Sequence, residues 1–156
     1  MRRRNLIAAA LSWQMALTVR AAPDGRLPVA LSLKDELDAA LRLAQPLVVM
    51  VSLDGCPFCR VVREHHLLPL RLEGQPIVQV DMRSDARVLD FAGQSRTHDE
   101  LVRAWKIVSA PTLLFFGKGA REVAPRLHGS SIPDFYGAYL EQRIHAARLD
   151  LTGARR

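Results

Sequence analysis

The sequence predicts an α/β domain: one mixed central sheet, with a parallel strand–helix–strand half, an antiparallel hairpin, and helices on both faces. Three observations predict it. The most apolar run, Leu47-Val48-Val49-Met50-Val51-Ser52-Leu53, reads as a buried strand. A helical pattern and a second strand, Pro76 to Met82, follow it in the order of a right-handed crossover. Further on, the apolar stretch Leu113 to Phe116 meets a tight turn, Gly117-Lys118-Gly119-Ala120, which sends the run Arg121 to His128 back antiparallel.

Each element has a local reason. Ser32, with Asp35 three residues on, has the pattern of a helix cap, and Leu33, Leu37, Ala40, Leu41 and Ala44 recur at helical spacing until Pro46 stops them. The helix after the first strand starts at Cys56 and carries Val61, Val62, Leu67 and Leu68; Pro69 should kink or end it. Arg83 to Arg96, polar and containing Gly93, reads as a surface excursion with one irregular turn. Thr97 and Glu100 form a capping box for a helix that turns Leu101, Val102 and Trp105 inward. Val123, Pro125 and Leu127 alternate along the return strand, and Pro125 marks an edge. Ser131 and Pro133 open a last helix whose expected inward stripe is Ile132, Phe135, Tyr136, Tyr139, Leu140 and Ile144.

At 156 residues and 49% hydrophobic, the chain supports one domain with a proper core and has no room for two domains. A formal charge of +6 raises the question of a nucleic-acid partner. However, Arg2, Arg3, Arg4 and Arg20 lie in the first 21 residues, which carry no acid, and the remaining arginines alternate with acids. Aromatics are only 6%, so neither a basic patch nor a stacking surface supports nucleic-acid binding.

The N-terminus reads as an export signal. Arg2-Arg3-Arg4-Asn5 is a basic start, Leu6 to Val19 is apolar but short for a bilayer span, and Val19-Arg20-Ala21 offers small residues for cleavage. This divides the chain into a signal peptide, 1–21, and a single domain, 22–156. Arg3-Arg4-Asn5-Leu6-Ile7 also resembles the core of a twin-arginine signal. The expected location is the periplasm, where disulfides are made and broken.

The two cysteines lie together, in Gly55-Cys56-Pro57-Phe58-Cys59-Arg60, at the strand-to-helix junction. There the first thiol meets unpaired N–H groups and the positive end of the helix dipole, which favour a thiolate, and the second thiol lies one turn on. A structural bridge across so short a loop restrains little of the unfolded chain, so a redox pair is the stronger reading. A closed zinc site would need two further ligands, and His65 and His66 share one helix with Cys59. A Cu(I) site on the two thiols stays open as an alternative.

Two motifs together resemble the thioredoxin fold over roughly Ser32 to Leu149: Cys56-Pro57-Phe58-Cys59 after a buried strand, and Ala110-Pro111-Thr112 before the Leu113 to Phe116 strand, which matches the family's cis-proline loop. The Asp81 to Thr97 excursion, with Asp90-Phe91-Ala92-Gly93, is similar to periplasmic thioredoxins of the SoxW/SoxS kind. Departures are visible too. Met50 stands where cytosolic thioredoxins carry a buried Asp, Gly55 where they carry Trp, and Pro57-Phe58 where they carry Gly-Pro. The glutathione-binding charges of glutaredoxins have no counterpart.

The resemblance implies a thiol–disulfide oxidoreductase. Cys56 would attack a client disulfide, and Cys59, more buried and harder to ionise, would resolve the mixed disulfide. Pro57 would constrain the loop and Phe58 would offer an exposed apolar contact. Pro111, in cis, would bring the Ala110 backbone beside Cys56 to pair with an extended client segment. No bound cofactor is implied beyond the redox-active pair itself. Partners would be client proteins with disulfides or thiols and a dithiol electron donor, a membrane-bound one among the candidates. Phe58 supplies no charge to stabilise a thiolate, which favours a reductase over a DsbA-like oxidase. His65, His66, His98, His128 and His145 are expected on solvated faces, without a role.

Overall fold

The computed structural model describes residues 25–129 and 135–153. The expected signal segment, the Ser131 cap, Ile132 and Pro133 lie outside the described residues. The strands are β1 (Leu47–Ser52), β2 (Ile77–Asp81), β3 (Arg87–Leu89), β4 (Ser95–Thr97), β5 (Thr112–Phe116) and β6 (Leu127–His128). The helices are α1 (Leu33–Arg42), α2 (Pro57–Val62), α3 (Leu68–Leu72), α4 (His98–Ala104) and α5 (Tyr136–Leu151). The main sheet runs β2-β1-β5-β6, with β1 parallel to β2 and antiparallel to β5, and β5 antiparallel to β6. This is the predicted mixed sheet.

β1 is central, and all its residues are buried because both faces are covered. Strand alternation then divides its side chains between two cores. Val48 and Met50 pack with Phe115, Cys59, Val62, Leu67, Tyr136, Leu140 and Ile144, on the face covered by α2, α3 and α5. Leu47, Val49 and Val51 pack with Leu114, Phe116, Leu33, Leu37, Leu101 and Val102, on the face covered by α1 and α4. The segment before α1 prolongs the sheet beyond β2: the Gln79 N–H donates to the Pro28 carbonyl at 2.8 Å, and the Ala30 N–H donates to the Gln79 carbonyl at 2.9 Å.

Several elements differ from the sequence expectation. Pro69 does not end the helix that starts after Cys56. A π-turn, Arg63–Leu67, links α2 to α3, and the proline sits in the first turn of α3. The wider turn relieves the clash between a proline ring and the carbonyl one turn back. The 83–96 excursion contains a hairpin, β3 paired with β4, tethered to the body where the Leu89 N–H donates to the Leu31 carbonyl at 2.9 Å. The return strand is shorter than expected: β6 pairs only with Thr112 and Leu113. Pro125 interrupts the ladder between it and the Glu122–Phe116 bridge.

The inward stripe of α5 is Tyr136, Leu140, Ile144, Ala147 and Leu151, whereas Phe135 and Tyr139 are exposed. His98 also departs from expectation, being fully buried. Its Nδ1 accepts the Asp81 N–H at 3.0 Å, so Nε2 carries the proton and faces the Ala30 carbonyl at 3.3 Å.

Candidate active site

β1 ends at Ser52, and a short loop carries the chain to α2. Gly55 has φ +69°, a conformation that side-chain-bearing residues rarely adopt, and it turns the chain so that Cys56 becomes the N-cap of α2. Three hydrogen bonds within the loop and the first turn of the helix fix Cys56. Its N–H donates to the Leu53 carbonyl at 3.2 Å, its carbonyl accepts the Arg60 N–H at 3.2 Å, and its Sγ accepts the Cys59 N–H at 3.1 Å. The thiol thus takes the place of a capping hydroxyl on one of the orphan amides of the first turn. Pro57 follows at a position where its missing N–H is harmless.

The two thiols differ in environment. Cys56 is half-buried, and its thiol donates towards the Ala110 carbonyl at 3.9 Å. Cys59 is fully buried among Met50, Val62 and Leu113. Burial first, and its hydrogen bond with Cys56 second, push the Cys59 thiol up to about 11, although hydrogen bonds from the Leu53 backbone and the Ser52 hydroxyl act the other way. Both cysteines are free thiols in this structure.

The other predicted residues gather around this pair. The Ala110–Pro111 peptide bond is cis, and the buried Pro111 leads directly into β5. The antiparallel pairing of β5 with β1 carries this loop to the end of the sheet where Cys56 sits. Phe58 is 62% exposed and Pro57 is exposed, so the surface in front of Cys56 is apolar. Met50 is fully buried in the core that holds Cys59, so that core has an apolar thioether at the position where cytosolic thioredoxins carry Asp.

Sequence reasoning missed three features of the site. A groove of about 940 Å³ opens beside Cys56, with Arg60, Arg63, Gln79, Asp81 and Arg83 among its lining residues. Arg63 donates to Gln79 Oε1 at 2.8 Å, and Gln79 Nε2 donates to Asp81 Oδ1 at 2.7 Å. The Ser52 hydroxyl acts on Cys59, and Tyr136 joins the Cys59 core through α5. Polar residues at the ends of adjacent parallel strands, Ser52 opposite Asp81, were the available signal for this cluster. Tyr136 was legible as an inward residue of its helix, but nothing local tied it to Cys59, because that helix is remote in sequence. Among the described residues, no three His, Cys, Asp or Glu side chains converge as a metal cluster.

Comparison with known proteins places this geometry. No curated protein matches the sequence. Among solved structures, a thioredoxin from Thermus thermophilus superposes with a TM-score of 0.52 at 20% identity, covering 75% of this chain and 87% of that one. The C-terminal domain of DsbD from Neisseria meningitidis, in its oxidised form, superposes with a TM-score of 0.51 at 18% identity, covering 74% and 99%. An oxidoreductase named DsbH gives a TM-score of 0.50 at 15% identity, covering 92% and 96%. At such identities these likenesses establish the fold. The family follows from the sequence profile of the thioredoxin-like domain, which matches residues 33–144. The chain belongs to the thioredoxin-like domain family, a family of thiol–disulfide oxidoreductases.

Proposed function

We propose that this chain is a periplasmic disulfide reductase that exchanges thiols with client proteins through Cys56 and Cys59. The observation that carries the reading is the asymmetry of the pair. Cys56 is accessible, its sulfur accepts a backbone N–H at 3.1 Å and it lies beside the Ala110 carbonyl, whereas Cys59 is fully buried with its ionisation pushed up to about 11. One thiol is therefore presented to a client and the other is kept for a second step.

In that scheme the Cys56 thiolate attacks one sulfur of a client disulfide, forming the mixed disulfide and releasing the other client sulfur as a thiolate. Cys59 then gives up its proton and attacks Cys56 Sγ. The Cys56–Cys59 disulfide forms, two electrons pass to the client, and the departing client thiolate takes up a proton. Phe58 and Pro57 offer an apolar contact, and the Ala110 backbone offers hydrogen bonds to an extended client segment. A dithiol electron donor returns the pair to the reduced state.

The direction rests on charge. Neither Pro57 nor Phe58 stabilises a thiolate, whereas a strong oxidant depends on such stabilisation of its reduced form. Export rests on the basic start Arg2-Arg3-Arg4 and the apolar stretch Leu6 to Val19. The test is to express Cys59→Ser and Cys56→Ser full-length variants in the native envelope and resolve adducts on non-reducing gels. Cys59→Ser should retain clients as reducible adducts and Cys56→Ser should not, with the wild-type pair mostly reduced after acid quench and alkylation. Equal trapping by both variants would overturn the nucleophile assignment, and a mostly oxidised wild-type pair would reverse the direction.

A further inference from the structure

Cys56 stands between two surfaces of different chemistry. On the β5 side is the Ala110–Pro111 loop. On the β2 side is the groove of about 940 Å³, which Gln79 and Asp81 of β2 line and neither Ala110 nor Pro111 does. Four arginines line it. Arg26 belongs to the segment that pairs with β2, Arg60 to α2, Arg63 to the π-turn and Arg83 to the turn after β2. Arg83 is fixed there by its backbone, which is left-handed at φ +58° and donates its N–H to Asp99 Oδ1 at 3.2 Å. Arg63 donates to the buried Gln79 at 2.8 Å, a neutral partner that holds the guanidinium without cancelling its charge. Arg96, Arg103, Arg121 and Arg126 each sit on a carboxylate, whereas no ion pair among the described residues engages the four groove arginines. Asp54, Glu64 and Asp81 also line the groove, and one Asp81 oxygen is already taken by Gln79 Nε2. Four cations against three carboxylates leave the groove net positive.

We propose that this groove binds an acidic segment of the client polypeptide, next to the client's reacting cysteine, through Arg26, Arg60, Arg63 and Arg83. The proposal rests on the exchange reading above and names the class of client that enters it. A guanidinium offers a planar fork of N–H groups that matches the two oxygens of a carboxylate. The volume stands at the top of the range of about 300–1,000 Å³ found for pockets that enclose a drug-sized ligand, so the groove takes several residues rather than a single ion. Cys56 lines the same groove, so a client whose sulfur reaches it lays the flanking residues along the arginines. The three carboxylates hold the attraction down. The groove therefore acts on client choice and on the rate of encounter rather than on retention, which suits an exchanger that must release its product.

The test uses the reduced full-length protein and three synthetic peptides of equal length, each with one cysteine activated as its 2-pyridyl disulfide and flanked by Glu, Gln or Lys. The Cys56 thiolate attacks the peptide sulfur, a new S–S bond joins the two, the bond to the pyridyl sulfur breaks, and the departing thiolate takes up a proton as pyridine-2-thione, whose absorbance gives the rate. Rates with β-mercaptoethanol correct for each peptide's own reactivity. At about 0.01 M salt the Glu peptide should react about tenfold faster than the Gln peptide and the Lys peptide more slowly, and at about 1 M salt the ratio should fall to about one. In Arg60→Gln/Arg63→Gln the low-salt ratio should also fall to about one, and in Arg26→Gln/Arg83→Gln by about threefold. Ratios within one variant cancel any change in Cys56 itself. Arg42→Gln/Arg71→Gln removes the same charge outside the groove and should keep the wild-type ratio. No Glu preference in the wild type, or one that survives in both groove variants, overturns the proposal and leaves the exchange reading standing. A preference lost equally in Arg42→Gln/Arg71→Gln overturns it too, because overall charge would then be the cause. An equal gain for the pyridyl disulfide of mercaptopropionate overturns the polypeptide segment as the occupant. No thione from any peptide overturns the exchange reading itself.

Discussion

The Cys59 amide donates to the Sγ of Cys56 at 3.1 Å across the first turn of α2, while the Cys59 side chain turns inward to full burial. One residue thus supplies the amide that its partner's sulfur caps and the shielded thiol of the pair. The helix geometry makes these two roles compatible. The N–H groups of the first turn point back along the axis, and a side chain one turn on can face the sheet.

Selective alkylation should follow from this relationship. Iodoacetamide at neutral pH should label Cys56 in Cys59→Ser at least about tenfold faster than it labels Cys59 in Cys56→Ser. Peptide mapping by mass spectrometry reads the two rates. Similar rates would mean that Cys59 is not shielded in solution.

Alkaline stability should depend on the redox state. The folded protein holds the Cys59 proton up to about 11, against 9.0 for an ordinary thiol, because the site is buried. The unfolded chain therefore releases this proton first as pH rises. Stability from this group is complete below about pH 9 and is lost as pH climbs through about 11. The oxidised protein has no thiol to titrate. Urea midpoints measured from pH 8 to 11 should fall more steeply for the reduced than for the oxidised form, and parallel curves would contradict a protonated, buried Cys59.

His98→Ala should be strongly destabilising. The ring bridges the Asp81 N–H and the Ala30 carbonyl, tying α4 both to the end of β2 and to the segment before α1. Truncation leaves two backbone groups unpaired around a new cavity, with an expected loss of about 2–4 kcal/mol. His145→Ala, on the exposed side of α5, should stay within about 0.5 kcal/mol. Equilibrium unfolding distinguishes the two, and equal effects would remove the structural role assigned to His98.

Gly117→Ala should also destabilise, here through crowding. A Cβ at Gly117 would lie 2.5 Å from Val123 Cγ1 and 2.9 Å from Leu151 Cδ2, both closer than side chains tolerate. Val123 is β-branched and buried, so it cannot swing away, and the expected loss is about 1–3 kcal/mol. Adding Val123→Ala to the same chain should recover part of the loss, and a neutral Gly117→Ala would show that β5 and α5 are free to separate.

The residues of the site were legible because their signals are local. Leu47 to Ser52 is apolar throughout, which suits a strand covered on both faces. Cys56-Pro57-Phe58-Cys59 lies at the following junction, and Pro111 stands directly before β5. The capping box of Thr97 and Glu100 is equally local and forms with both of its hydrogen bonds. Such features depend on neighbours within one helical turn or one strand, so the order of residues carries them.

What the tertiary structure decided involves partners far apart in the chain. His98 looked like a solvated helix residue until the Asp81 N–H and the Ala30 carbonyl enclosed it. The polar 83–96 stretch became a hairpin because Leu31 accepts its edge. In α5 the apolar residues allowed more than one face to be read as the inner one. Docking against β5 selected Tyr136, Leu140, Ile144, Ala147 and Leu151, and left Phe135 and Tyr139 in solvent. The same docking brought the Tyr136 hydroxyl into the Cys59 core. Periodicity along a chain states that a face exists, but the phase of that face and the partner of a buried polar atom are set by packing between elements, where the competing interactions are summed.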